Sequence, residues 1–191
     1  INYKLGVKTV SLMDNLYSKN AFQLFCKHYS LRADYENTFI SMCEAVYSER
    51  SSYAILPLFN TVDGLITSVY KLIQRYELKI VASTKVIVGN GDTETEFVLV
   101  THNKSSFDFG ERLIISITHN YGEDIIDLMT ALSSVGICPH TINTLPLSYT
   151  DDRCESLITF DISSCDSDTL YCFLKTALPH ANIVGIYSIV K

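Results

Sequence analysis

The chain predicts an α/β lobe built on a parallel sheet, followed by a ferredoxin-like βαββαβ domain. Three observations point there. Short apolar runs alternate with helical periodicity over roughly the first hundred residues. A strand-helix-strand-strand-helix-strand order fills the rest. Between them lies a polar stretch without period, Thr101 to Glu111 (THNKSSFDFGE). The expected domains are therefore residues 1–105 and 106–191.

In the first segment, Val7 to Leu12 reads as a strand, and Ser18 is a plausible N-cap for a helix running to about Tyr29. A second helix is expected from about Asn37 to Tyr47. Tyr53 to Leu58 (YAILPL) is a short apolar run, the signature of a strand buried on both faces of a parallel sheet. Gly64 to Tyr76 carries Leu65, Val69, Leu72 and Ile73 on one helical face. Leu78 to Ala82 and Phe97 to Val100 complete the strands, with Gly89-Asn90-Gly91 as a turn. Such strand-helix-strand repetition implies parallel strands joined by right-handed crossovers. Ligands in sheets of that kind bind at the C-terminal strand ends.

The second segment opens on Arg112 to His119 (RLIISITH), which alternates like a half-buried strand. Ile125, Leu128, Met129 and Leu132 then fall on one helix face, with Gly136 placed to end the helix. Strands are expected around Ile137 to Leu147, from Ser156 to Ile162, and from Ile183 to Val190. Asp166-Ser167-Asp168 starts the second helix. With both helices on one face, the other sheet face should stay bare and invite pairing with a second copy or another domain.

Composition narrows the function. Of 191 residues, 15 are basic and 21 acidic, a net charge of −6 that opposes binding to a phosphate backbone. No apolar run reaches the roughly 18 residues of a spanning helix, and no signal peptide is recognisable, so a soluble cytoplasmic protein is expected. The first residue is Ile1, which leaves a removed segment open. The six cysteines show no CxxC pair and the five histidines no HxxH or HExxH. Free thiols are expected, and no metal or cofactor. Dinucleotide, Walker, GxSxG and kinase signatures are absent.

Several motifs resemble those of the prephenate dehydratase family, which joins a two-lobed catalytic region of periplasmic-binding-protein type to a C-terminal ACT regulatory domain. Tyr53 to Gly64 (YAILPLFNTVDG) is similar to the segment ending in Pro-Ile-Glu-Asn-Ser/Thr-x-x-Gly. Leu16 to Ala21 resembles the end of the family's Gly-Ser-Tyr-Ser-x-x-Ala turn, and Thr95 to Val100 its Thr-Arg-Phe motif. Arg112 to Lys191 resembles the ACT domain, with Ile142 to Pro146 in the place of Ile-Glu-Ser-Arg-Pro. The resemblance implies Thr95, Asn60 and Ser18 as catalytic candidates, and Thr61 and Gly64 as substrate-binding ones. It also implies Gly122, Asn143 and Pro146 as effector contacts in a homodimer formed through the ACT domains. Each also has a structural reading: Asn60 and Gly64 as turn residues, Ser18 as a cap, Thr95 as an ordinary strand residue.

The departures from the family bear on activity. Only Ala82 to Glu94 stand where the second lobe belongs, which leaves the substrate cleft one wall. Glu96 replaces the motif's arginine, and prephenate carries two carboxylates. At about 4 Å and an effective dielectric near 20, each such charge term is roughly 4 kcal/mol. Phe59 replaces a glutamate, and Met13 to Leu16 replace turn glycines. In the second domain Glu123-Asp124-Ile125 replaces Ala-Leu-Val. The resemblance therefore implies a ligand-binding or regulatory derivative with lost or reduced dehydratase activity, its ligand a small aromatic or keto acid. The alternative is an active, shortened dehydratase whose site a dimer partner completes.

Overall fold

The computed structural model describes residues 6–89, 91–102, 110–120, 125–134, 136–147, 152–176 and 180–191. The chain divides into two units, residues 1–106 with 189–191, and residues 107–188.

The first unit runs β1 (Lys8–Met13), α1 (Leu16–Phe25), β2 (Leu31–Glu36), α2 (Phe39–Tyr47), β3 (Tyr53–Asn60), β4 (Gly64–Leu65), α3 (Thr67–Arg75), β5 (Lys79–Val88) and β6 (Thr93–Thr101). Its strands are ordered β2-β1-β3-β6-β5, with β4 paired to β3. β1 is parallel to both β2 and β3. β6 runs antiparallel to β3 and to β5. The expected parallel arrangement thus stops at β3. Residues 89–92 are the whole link between β5 and β6, far too short for a crossover, so the pair closes as a hairpin.

Local chemistry explains the helix boundaries. Asn15, not Ser18, caps α1: its Oδ1 accepts from the Ser18 backbone N–H at 2.8 Å. Ser18 sits inside the first turn and is buried. α2 opens on a reciprocal box between Thr38 and Ser41. β2 has no counterpart in the sequence reading. It is a half-exposed edge strand bonded on one side only, so it lacks a strong apolar signal. α1 lies on one sheet face, where Phe25 and Ala21 pack with Val10, Leu12, Ile55, Val86, Phe97 and Leu99. Burying a side chain such as Phe25 contributes roughly 1.5–3 kcal/mol. Val190 joins the same core, and its carbonyl accepts from the Thr84 hydroxyl at 2.9 Å.

The second unit holds β7 (Arg112–Asn120), α4 (Ile125–Ser134), β8 (Cys138–Pro146), β9 (Arg153–Asp161), α5 (Ser167–Thr176) and β10 (Asn182–Val190). The order β10-β7-β9-β8, with neighbouring strands antiparallel throughout, is the ferredoxin-like plan. One core takes Leu132 from α4, Leu170 from α5, and Leu113, Ile115, Ile158 and Phe160 from the strands. Both helices therefore cover the same face. On the opposite face Ile114, Leu157 and Thr159 are buried as well. Asp166 caps α5, accepting from the Asp168 and Thr169 N–H groups, and these contacts with the Thr169 hydroxyl hold its carboxyl below the ordinary range. Gly136 follows α4 with φ +80, a left-handed turn that suits glycine. All six cysteines are free. Among the described residues no helix is long and apolar enough to cross a membrane, and no cluster of His, Cys, Asp or Glu could hold a metal.

Candidate active site

The sequence-derived residues converge on one end of the first unit's sheet. Asn60, the last residue of β3, is the direct cross-strand partner of Thr95 on β6, and Thr95 in turn pairs with Val86 on β5. A bulge in β3 between Pro57 and Phe59 brings Asn60 to this position. Thr95 alternates with Phe97 and Leu99, so it shares the face on which α1 lies, and α1 carries Ser18. Thr95 and Ser18 are both buried.

The hydrogen bonds separate these residues by role. Asn60 Oδ1 accepts from the backbone N–H groups of Val62 and Asp63, and its Nδ2 donates to Asp63 Oδ2 at 3.1 Å. The side chain is fully engaged in closing its own turn. Thr61 is used likewise, its hydroxyl accepting from the Glu94 N–H at 3.1 Å and its N–H donating to the Glu94 carbonyl at 3.0 Å. Gly64 has φ +72 and pairs with Asn60, with open space around its Cα, so the backbone angle accounts for it. Thr95 differs: among the described residues its hydroxyl has no hydrogen-bond partner.

Charge on the neighbouring face is unfavourable to a dianion. Glu96 faces away from Thr95 and pairs with Phe59 and Lys85. Lys85 Nζ is bonded to Glu94 Oε1 at 2.6 Å. One cation thus stands between two carboxylates, and it is already paired.

Of the effector candidates, Gly122 lies outside the described residues. Asn143 is half-buried on β8 opposite Leu157, and Pro146 ends that strand, exposed, opposite Cys154. Between them sits a group that sequence reasoning did not single out. His119 Nε2 is 2.7 Å from Ser156 Oγ, which is 2.9 Å from Thr144 Oγ1. His119 Nδ1 donates to the Asn120 carbonyl at 3.0 Å. In the neutral ring Nε2 must then accept from Ser156, which accepts from Thr144. Only the strand register brings these three together, so spacing along the chain carries no sign of them.

Residues 15–107 match the family model described as prephenate dehydratase. A search of curated proteins finds no match. Among solved structures, the chain is similar to a prephenate dehydratase from Streptococcus mutans, at 14% identity and TM-score 0.78, covering 97% of this chain and 100% of that one. It is similar to GqqA, described as a novel type of quorum quenching acylase, at 15% identity and TM-score 0.75, covering 95% of each. It is also similar to a prephenate dehydratase from Arthrobacter aurescens in complex with L-Phe, at 13% identity and TM-score 0.68, covering 94% of this chain and 90% of that one. The family match thus covers residues 15–107, nearly all of the first unit, and the similar solved structures share the fold of the chain as a whole.

Proposed function

We propose that this protein is a ligand-binding or regulatory derivative of prephenate dehydratase whose dehydratase activity is lost or reduced. One observation carries the reading: around Thr95 the polar equipment is already spent. Asn60 and Thr61 are bonded into their own turn, and Lys85 is paired with Glu94 beside Glu96. Glu94, Glu96 and Lys85 lie on the sheet face opposite Thr95, so Lys85 offers a dianionic substrate there no free cation. The test is formation of phenylpyruvate from prephenate by the full chain. Wild type and Thr95→Ala should both stay at the uncatalysed background, and turnover abolished by Thr95→Ala would sink the reading.

A second reading has support of its own. The S. mutans chain described as a prephenate dehydratase is covered over its whole length. The free Thr95 hydroxyl also fits the role of assisting the departing hydroxyl. An active enzyme of this form would have its site completed by a partner, and would show turnover rising with protein concentration.

Residues 106–191 are read as an ACT-like domain of a cytoplasmic homodimer. The open β8 edge, where Ile142 is 47% exposed, supports pairing there. Gly122, Asn143 and Pro146 are assigned to its effector site. The A. aurescens complex makes L-Phe the first ligand to try, followed by aromatic keto acids, with a rise in melting temperature as the readout.

A further inference from the structure

A cleft of about 370 Å3 opens at the other end of the first unit's sheet, lined in part by Lys8, Val46, Glu49, Ser52, Thr101 and His102. Lys8 begins β1, Ser52 precedes β3 and Thr101 ends β6. β3 lies between this end and Asn60, so about 23 Å of strand separates the cleft from Thr95.

Its floor is built, not accidental. Ser51 is buried, its N–H donating to the Ala45 carbonyl, and its hydroxyl accepts from Ser11 Oγ at 2.7 Å. Thr101 Oγ1 donates to the Ser52 carbonyl at 2.9 Å. The His102 ring is held against Tyr47, with centroids 4.8 Å apart, and Tyr47 rests on Tyr76. Glu49 is kept at φ +61, a left-handed conformation that few side chains adopt.

Three groups on this framework have no hydrogen-bond or ionic partner for their side chains among the described residues. His102 Nδ1 is buried and unpaired. The Lys8 ammonium and the Ser52 hydroxyl are the other two. A buried ring nitrogen without a partner is costly, and a native fold tolerates that where a ligand completes the bond. An ammonium, a hydroxyl and an imidazole together offer donors to an oxyanion. Glu49 on the rim opposes a second negative charge, which favours a carboxylate over a phosphate.

We propose that this cleft is a binding site for a small carboxylate, separate from the Thr95 end and independent of whether the protein is a dehydratase. The carboxylate oxygens take the Lys8 ammonium, the Ser52 hydroxyl and His102 Nδ1.

The test uses NMR of the histidine rings in the full-length protein, with the His102 signals assigned through His102→Gln. Sodium acetate is titrated against sodium chloride at matched ionic strength, and inorganic phosphate is run in parallel. The His102 signals should move along a saturable curve with acetate and not with chloride. In Lys8→Met, an exposed change that leaves the core untouched, saturation should need about tenfold more acetate, the loss of one charge-assisted contact. Absence of saturation with acetate, or a curve unchanged by Lys8→Met, would overturn the site. Phosphate saturating at lower concentration than acetate would overturn its assignment to carboxylates.

Discussion

The two ends of the first unit's sheet carry similar polar residues and use them in opposite ways. At the Asn60 end, the amide makes three bonds inside a four-residue turn and Thr61 is tied to Glu94. At the Lys8 end, a buried imidazole nitrogen has no hydrogen-bond partner among the described residues, although the serines beneath it are ordered by hydrogen bonds. A polar residue in a family motif is thus weak evidence of chemistry when the turn itself accounts for every atom. A polar group that the fold positions and leaves unsatisfied is stronger evidence, because the fold gains nothing from it.

That comparison can be broken by stability measurements. The largest effect is expected at the floor beneath the cleft. Ser51→Ala strands the Ser11 hydroxyl in a fully buried site, at a cost of about 1–3 kcal/mol in urea unfolding. A smaller loss would mean that the floor is not rigid. Next is Asn60→Ala, which removes an acceptor from two backbone N–H groups at an exposed turn. It should cost about 1–2 kcal/mol, and a neutral outcome would show that Asn60 is held for function after all. Asn15→Ala should cost about 1 kcal/mol as the loss of a helix cap, whereas Ser18→Ala tests the rejected cap position and should not reproduce a capping loss. Thr95→Val keeps the shape and removes only the free hydroxyl, so stability should change by less than about 0.5 kcal/mol.

Much of this architecture was legible in the sequence, and the gaps have physical causes. Periodicity located the β7 run from Arg112 and the α4 face through Met129 and Leu132, because half-burial writes itself as period 2 or 3.6. Strand direction in β5 and β6 was not legible. It depends on the length of the 89–92 link, and two apolar runs look alike whether parallel or antiparallel. β2 escaped notice because an edge strand needs few apolar residues. Asn60 and Thr95 were identified as residues, but their roles depend on bonds that only the register and the turn create. The histidines show the limit most clearly. His119 meets Ser156 across two strands, and the buried Nδ1 of His102 has no hydrogen-bond partner among the described residues, yet both are unremarkable in their sequence surroundings.

The same accounting extends to the second unit, where both carboxylate oxygens of Asp161 are bonded. Ser163 donates to its Oδ1 from both hydroxyl, at 2.6 Å, and backbone N–H, at 3.0 Å, and Arg112 lies 2.9 Å from Oδ2. The Ser163 bonds first, and Arg112 after them, hold the carboxyl below the ordinary carboxylate range. The folded pKa is therefore lower than the unfolded value of about 3.9. Its contribution is complete above that unfolded value and is lost as pH falls through the folded one. The side chain is 42% exposed, so solvent screening limits the contribution to less than about 1 kcal/mol. Asp161→Asn should lower the melting temperature slightly at pH 7 and flatten its decline below about pH 4. A variant whose decline stays parallel to wild type through that range would assign the acid sensitivity to other carboxylates, with Asp161 contributing shape alone.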